Sequence, residues 1–285
     1  MNKLNIYSNI VLNNDVEMPV IGLGTYKSEE GEQIINEVKW ALNAGYRLID
    51  TAKVYKNEEG VGRAVKEFGI LREEVFITTK LWNPDQGYES GLLAINESLS
   101  KLGLKYVDLY LVHWPTADPN AKESINKRKE TWRAMEEIYK SGKARAIGVS
   151  NYTITHLEEM KEYATVLPMV NQVEFHPFLY QKELLDYCKE NNIVLEAYRP
   201  LIKDVEKLNH EIITNIAKKH NKTNTQILLR WSLQHGCVPI PKSSKKEHIE
   251  ENINVFDFEL SPEDMNMLNS LNENLHTAPD PNKFL

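Results

Sequence analysis

Eight short apolar runs recur along the chain between Met18 and Phe256. Most of them are almost continuously apolar instead of alternating with polar residues, which is typical of parallel strands buried on both faces. We therefore predict eight buried β-strands, which cover residues 20–24, 46–50, 75–80, 107–113, 145–150, 169–175, 193–198 and 237–241.

The segments between these runs have the 3.6-residue apolar period of amphipathic helices. Residues 61–68 and 92–102 each carry such a stripe. Two helix starts are indicated by capping residues, at Thr223 and at Ser261. Further helices are predicted over residues 128–141, 153–164, 182–191, 210–220, 225–235 and 247–256.

Strands that alternate with helices in this way predict a single α/β domain folded as a (β/α)₈ TIM barrel. An open doubly wound sheet is the alternative, and it normally carries G-x-G-x-x-G after its first strand. The segment 22–27, Gly-Leu-Gly-Thr-Tyr-Lys, lacks the third glycine, so the barrel is favoured. We expect one domain over 1–285, with an N-terminal hairpin (1–19) closing the barrel bottom, the barrel at 20–256, and a C-terminal helix and short tail (257–285) near the active-site mouth.

Composition limits the classes of function. The net charge of −7 gives no support for nucleic-acid binding. We recognise no signal peptide at the start of the chain, and no apolar run is long enough to span a bilayer. Cys188 and Cys237 have no metal or redox spacing, which suits a reducing compartment. We expect a cytoplasmic monomer that binds neither nucleic acid nor membrane.

Ionisable residues stand at the ends of three predicted strands, where a barrel of this type builds its active site. Asp50 follows the second strand, Lys80 the third and His113 the fourth, and Tyr55 lies in the loop after Asp50. A phenol has a pKa near 10, and a nearby ammonium is expected to lower it. An imidazole can also donate a hydrogen bond to an incoming oxygen. Together, these four side chains suit proton delivery to a carbonyl. The set has no hydride source, so a cofactor must supply the hydride.

Six segments give the chain a resemblance to the aldo-keto reductase family, and they occur in order over nearly its whole length. They are "GYRLIDTAKVYKNEEGVG" (45–62), "TTKLW" (78–82), "YLVHWP" (110–115), "GVSNY" (148–152), "NQVEFHP" (171–177) and "IPKS" (240–243). The resemblance implies reduction of small aldehydes and ketones to alcohols with NADPH, NADH being possible, and without metal or flavin. It implies that Tyr55 is the proton donor, that Lys80 and Asp50 tune it, and that His113 orients the carbonyl.

The same resemblance implies a set of cofactor contacts. Ser150, Asn151 and Gln172 would bind the nicotinamide carboxamide, and Tyr198 would stack on its ring. The nicotinamide ribose would lie near Thr25 and Asp50, the 2′-phosphate near Lys242 and Ser243, and the adenine near Glu251 and Asn252.

Two positions depart from the family pattern. His248 stands where many members carry Arg, which would loosen the preference for NADPH because an imidazole is mostly neutral at pH 7. Lys245 or Lys246 would compensate as point charges. Arg199 stands where Ser is common, and either binds the pyrophosphate or faces solvent.

The substrate pocket is expected to depend on Tyr26, Trp82, Trp114, the 116–130 segment and the tail at 272–285. Because the tail is short, we expect an open pocket for varied small carbonyl compounds. Two other classes of function stay open. One is a metal-dependent hydrolase using Asp50, His113 and His176, although no H-x-H pair ends a strand and Lys80 would repel a metal. The other is a barrel that keeps cofactor but serves as a non-enzymatic partner protein.

Overall fold

A curled sheet of eight parallel strands forms the centre of the protein in the computed structural model, which describes residues 4–116 and 124–284. Two further strands form a separate antiparallel pair ahead of it, β1 (Asn9–Val11) and β2 (Glu17–Pro19). The central strands are β3 (Leu23–Gly24), β4 (Leu48–Asp50), β5 (Phe76–Leu81), β6 (Val107–Val112), β7 (Ala144–Ser150), β8 (Val170–Glu174), β9 (Val194–Tyr198) and β10 (Val238–Pro239). All eight overlap the predicted runs.

Each central strand pairs with the next one along the chain, from β3 to β10. Two hydrogen bonds join the first strand region to the last: the Gly22 N–H donates to the Pro239 carbonyl at 3.1 Å, and the Gly24 N–H to the Pro241 carbonyl at 3.0 Å. The sheet therefore closes on itself, and the predicted (β/α)₈ barrel is confirmed. The expected division of the chain into hairpin, barrel and tail stays a prediction.

Helices follow the strands around the outside of the sheet. They are α1 (Glu32–Ala44), α2 (Glu58–Phe68), α3 (Tyr88–Leu102), α4 (Ser124–Lys140), α5 (Ile154–Met160), α6 (Lys182–Glu190), α7 (Val205–Leu208), α8 (Glu211–His220), α9 (Asn224–Gln234), α10 (Lys246–Asn252) and α11 (Pro262–Asn269). The predicted capping at Thr223 and Ser261 is confirmed, since each hydroxyl accepts the backbone N–H three residues later. No helix in the described part of the chain is both long and apolar enough to cross a membrane.

The sequence interpretation missed α1 and the short α7, and it extended α5 and α10 too far. A signal for α1 was present, because Ile34, Ile35, Val38, Ala41 and Leu42 are buried on one face at helical spacing. In α5 the helical ladder gives way after Met160 to tighter bonds that span three residues, such as those from the N–H groups of 161 and 162.

The N-terminal hairpin closes the barrel at the end where the strands begin, as predicted. The Asn13 amide in its turn donates to the carbonyls of Pro168 and Asn192, just before β8 and β9, at 3.3 Å each. The Asn14 amide donates to the Arg145 carbonyl at the start of β7 at 2.9 Å. Met18, in strand β2 of the hairpin, is fully buried. The functional site is therefore expected at the opposite end of the barrel, at the carboxyl ends of the strands.

Closure of the barrel requires glycine at position 24. A Cβ atom there would lie 2.7 Å from the Ile240 carbonyl oxygen, which is backbone and cannot rotate away. We expect Gly24→Ala to lower the free energy of unfolding by about 3 kcal/mol, because overpacking at this point separates β3 from β10. Urea unfolding followed by circular dichroism measures the effect.

Gly142→Ala is the control, since a Cβ at Gly142 meets nothing within 4 Å while its φ of 76° is strained for other residues. It should cost only about 1 kcal/mol. An equal loss in the free energy of unfolding for the two variants would show that the close approach to the Ile240 carbonyl does not exclude a Cβ atom at position 24.

Candidate active site

A cavity of about 700 Å³ opens at the carboxyl ends of the barrel strands. It collects residues that are far apart in the sequence, so the predicted convergence on one mouth is found in the structure. The predicted site residues that line it are Asp50, Tyr55, His113, Ser150, Asn151, Gln172, Tyr198, Arg199, Lys242, Tyr26, Trp82 and Trp114. Lys80 lies directly behind this lining and is fully buried.

A buried ion pair lies at the base of the cavity. The Lys80 ammonium donates to both carboxylate oxygens of Asp50 at 2.8 and 2.7 Å, and to the Thr51 carbonyl at 3.0 Å. Its distance to the Tyr55 hydroxyl is 3.3 Å. β4 and β5 are adjacent parallel strands, and this adjacency sets Asp50 and Lys80 beside each other. The predicted contact between phenol and ammonium is therefore present.

The loop that carries Tyr55 is fixed by a buried amide. Residues Lys53–Tyr55 form a 3₁₀ turn, which ends at Lys56 with a left-handed φ of 59°. Asn57 then donates to the Thr25 carbonyl at 2.9 Å and accepts from the Thr51 hydroxyl at 2.7 Å. This ties the loop after β4 to the loop after β3. The sequence interpretation did not single out Asn57.

The expectation that Lys80 lowers the pKa of Tyr55 is wrong. Burial, and next the negative charge of Asp50, raise the pKa of Tyr55 well above 10. The reason is that Asp50 neutralises Lys80, so the phenol sees little net positive charge while it loses its contact with water. Tyr55 is consequently a permanently protonated hydrogen-bond donor across the physiological range of pH.

His113 is a neutral group in this site. Burial, and next the positive charge of Lys80, lower its pKa well below 6.5. Its ring lies edge-on to those of Tyr55 and Trp82, with centroid distances of 5.8 and 5.2 Å. The Nδ1 atom is buried without a hydrogen-bond partner among the described residues. A neutral imidazole retains one N–H, which suits it to donate to a substrate oxygen.

A polar cluster on the other side of the cavity contains Ser150, Asn151, Gln172 and Tyr198. The Asn151 amide donates to the His113 carbonyl at 2.9 Å and to the Ser150 hydroxyl at 3.1 Å. Its oxygen accepts from the Tyr198 hydroxyl at 2.8 Å. Because the nitrogen of Asn151 has both protons engaged, this residue offers the cavity only a free lone pair. Each of these side chains is thus held in one orientation before any ligand arrives.

Two buried glutamates of the site were missed in the sequence. Glu196 is fully buried in β9 and accepts from the Gln172 amide at 2.6 Å. Glu174, at the end of β8, accepts from the backbone N–H groups of Thr277 and Ala278 in the C-terminal tail at 3.0 and 2.9 Å. The available signal for both was a carboxylate within a predicted buried strand, Glu174 in residues 169–175 and Glu196 in residues 193–198.

Comparisons with known proteins identify the family. A model of the aldo/keto reductase family matches residues 20–273. The chain belongs to the aldo/keto reductase family. It is 54% identical to the glyoxal reductase of Bacillus subtilis, over 97% of each chain. It is 46% identical to the 9,11-endoperoxide prostaglandin H2 reductase of Trypanosoma cruzi, over 98% of this chain and 96% of that one.

Solved structures of the family have the same fold. An aldo-keto reductase from a deep-sea metagenome library superposes with a TM-score of 0.89 at 50% identity, over 95% of this chain and 97% of that one. The Bombyx mori aldo-keto reductase in complex with NADP superposes with a TM-score of 0.88 at 36% identity, over 95% of each chain. This chain is thus an oxidoreductase of that family.

Apart from Lys242, which lines the cavity, the residues that the family pattern assigns to the adenosine end of the cofactor lie outside it. Ser243 is buried, His248 is exposed on α10, and Asn252 is buried at the end of that helix. Glu251 accepts from the hydroxyls of Thr223 and Thr225 at 2.7 and 3.0 Å, so it also contacts the N-terminal end of α9. Thr25 is buried, and its hydroxyl donates a hydrogen bond to the Asp50 carbonyl at 2.9 Å. Their roles toward a cofactor stay predictions.

Arg199 is not the solvent-facing residue that one alternative described. Its guanidinium lines the cavity and donates to the Thr277 hydroxyl at 2.9 Å, with the Glu174 carboxylate 3.9 Å away. The tail is therefore tied to the cavity by a buried acid and a base. Of the segment 116–130, which was expected to shape the pocket, residues 117–123 lie outside the described part of the chain. The tail contributes Ala278 and Pro279 to the lining.

Two of the three groups suggested for a metal site are engaged elsewhere. Asp50 is bound by Lys80, and His176 lies 3.4 Å from the Glu174 carboxylate. Among the described residues, no group of three His, Cys, Asp or Glu side chains is arranged to hold a metal ion. The arrangement does not favour the hydrolase.

The tail depends on the ionised form of Glu174. Burial raises its pKa, but hydrogen bonds from His176, Thr277 and Ala278 prevail and lower it to about 2. A carboxyl with a depressed pKa stabilises the fold above its unfolded pKa and loses that contribution as pH falls. We expect Glu174→Gln to lower the free energy of unfolding by about 2 to 3 kcal/mol at pH 7.

The difference between Glu174→Gln and wild type should shrink as pH falls from about 4.5 toward 2, measured by urea unfolding at each pH. Glu190→Gln, at an exposed position on α6, is the control and should change stability little at any pH. A constant difference between wild type and Glu174→Gln over this range would contradict the assignment of this ionisation to the tail contact.

Proposed function

We propose that this protein reduces small aldehydes and ketones to alcohols with NADPH. The observation that carries the proposal is the buried Lys80–Asp50 pair with the Tyr55 hydroxyl 3.3 Å from the ammonium, at the base of a cavity about 700 Å³ in volume. A relative whose structure contains NADP supports the choice of cofactor. The reaction needs two groups from the protein: a proton donor, and a hydrogen-bond donor to the oxygen on which negative charge develops. Tyr55 and His113 supply them.

The residues present fit a dinucleotide. Four cations line the cavity, Lys27, Arg199, Lys203 and Lys242, and they suit phosphate groups. The free oxygen lone pairs of Asn151 and Gln172 suit the carboxamide N–H₂ of a nicotinamide. NADPH supplies the hydride when it is bound. NADH use remains part of the proposal, because His248 replaces the Arg that many members carry.

The protein's own residues carry out the proton chemistry. Tyr55 and His113 donate hydrogen bonds to the substrate oxygen, which holds the carbonyl in one orientation. As negative charge develops on that oxygen, the Tyr55 proton moves to it. An alkoxide is a stronger base than a phenolate, so this transfer is favourable although the pKa of Tyr55 is raised. Lys80 then stabilises the phenolate that remains.

The substrate class is proposed from the walls of the cavity. Tyr26, Trp82 and Trp114 give apolar surface around a polar centre, as in other small-molecule sites. Similarity to a glyoxal reductase favours short aldehydes and dicarbonyl compounds. A panel of carbonyl substrates with NADPH and with NADH tests this choice. Absence of turnover with the whole panel, in a protein that binds NADPH, would favour the non-enzymatic alternative.

We also propose that the protein is cytoplasmic. Cys188 and Cys237 are free thiols and both are buried, which is compatible with the expected cytoplasm. The expected monomeric state stays a prediction.

Removal of the phenolic hydroxyl tests the proton donor. We expect Tyr55→Phe to lower kcat for carbonyl reduction by about 10² to 10⁴-fold, since the proton donor is lost while the ring remains. NADPH binding, followed by tryptophan fluorescence, should change less than threefold. Retention of wild-type turnover in this variant would require a different acid.

The charge at position 248 tests the cofactor preference. We expect His248→Arg to tighten NADPH binding by about tenfold, because a guanidinium binds a phosphate with two charge-assisted hydrogen bonds. NADH, which lacks the 2′-phosphate, serves as the control ligand and should bind as before. Equal tightening for both nucleotides would show that residue 248 does not face the 2′-phosphate.

A further inference from the structure

A second buried acid lies beneath the cavity, and the proton-donor mechanism does not use it. Glu196 is fully buried at the middle of β9, where it is in register with Gln172 of β8. Residues in register on adjacent parallel strands point the same way, so the two side chains meet inside the barrel. The Gln172 amide nitrogen lies 2.6 Å from Glu196 Oε2 and 2.8 Å from Asp50 Oδ2. The three residues thus form one chain of hydrogen bonds.

These hydrogen bonds determine which way the Gln172 amide faces. An amide nitrogen has two protons, and the two carboxyl groups accept both. The opposite orientation would place the amide oxygen against the Asp50 carboxylate, which is repulsive because Asp50 is paired with Lys80 and has no proton to donate. The nitrogen therefore faces the barrel interior, and the carbonyl oxygen is left for the cavity that Gln172 lines.

We propose that Glu196 is a positioning residue for this reaction: it fixes the Gln172 amide and, through that amide, the Asp50 carboxylate. This inference rests on the proposed function, because the oriented oxygen of Gln172 is the group that would accept from the nicotinamide carboxamide. Glu196 itself lies below the cavity and is not among its lining residues.

The ionisation of Glu196 gives this role a separate signature. Burial, and next the charge of Asp50, raise the pKa of Glu196 to about 8, while Gln172 and Lys80 oppose the shift. The titratable groups that act on it are therefore Asp50 and Lys80, and Glu196 in turn acts on Tyr55. Its Oε1 atom is buried with no partner among the described residues, which also favours the uncharged acid. The raised pKa favours the neutral acid, and when Glu196 ionises at higher pH a second negative charge opposes the charge that builds on the substrate oxygen.

A double-mutant cycle with NADPH as the probe tests the positioning role in the full chain. We expect Glu196→Leu to raise the Kd for NADPH about tenfold, because Gln172 loses the acceptor that orients it. Glu196→Gln should stay within about threefold, since its amide oxygen can still accept. In a Gln172→Leu background, Glu196→Leu should cause no further loss. Additive losses in the double variant, or no loss in Glu196→Leu, would overturn the proposal.

A pH profile keeps the test independent of whether Glu196→Leu folds. For wild type, kcat/KM for aldehyde reduction should fall above about pH 8, and this decrease should be absent in Glu196→Gln. The control is Glu136→Gln, another buried acid, which accepts from the N–H groups of Thr165 and Val166 at 2.6 and 2.8 Å near the opposite end of the barrel. It should keep the wild-type profile. Identical profiles for wild type and Glu196→Gln would overturn the proposal.

The same measurements separate this inference from the proposed function. Wild-type protein that binds NADPH and reduces aldehydes, with variants at 196 that behave identically, contradicts only the role of Glu196. Wild-type protein that neither binds NADPH nor turns over any aldehyde overturns the proposed function and this inference together.

Discussion

The buried ion pair between Lys80 and Asp50 is the interaction on which the rest of the site depends. Both side chains lie inside the barrel, with Lys80 fully buried and Asp50 2% exposed. A buried charge without its partner costs several kcal/mol, so neither residue is stable here alone. Burial raises the pKa of Asp50, and the ammonium and the Gln172 amide counteract that shift. The pair thereby joins β4, β5 and β8 at the base of the cavity.

That pairing explains why the pKa of Tyr55, the proposed proton donor, is shifted in the opposite direction from the one that the residue types suggested. An isolated ammonium would have lowered the pKa of Tyr55. Compensated by Asp50, it instead holds the hydroxyl in place and leaves the phenol protonated. His113 is neutral as well, because it is buried and the positive charge of Lys80 disfavours its cationic form. Two uncharged donors beside an ion pair suit a reaction in which negative charge appears only transiently on the substrate.

Acids also organise the margins of the site. Glu196 orients Gln172 from below, and Glu174 holds the C-terminal tail beside Arg199. Because Gln172 and the tail already donate hydrogen bonds to these acids, the side chains need little rearrangement when a ligand enters the cavity. The site is thus largely preorganised by hydrogen bonds between strands and loops.

The sequence alone determined the barrel and the position of its active end. Continuous apolar strands alternating with helices allow few other folds, and polar residues at the ends of such strands can be recognised one strand at a time. Asp50, Lys80, His113 and the nearby Tyr55 were predictable on that local basis. Tertiary structure alone decided the closure at Gly24, the raised pKa of Tyr55, and the roles of Glu174 and Glu196. These depend on pairings such as Asp50 with Gln172, 122 residues apart, and on burial, which no local pattern of residues specifies.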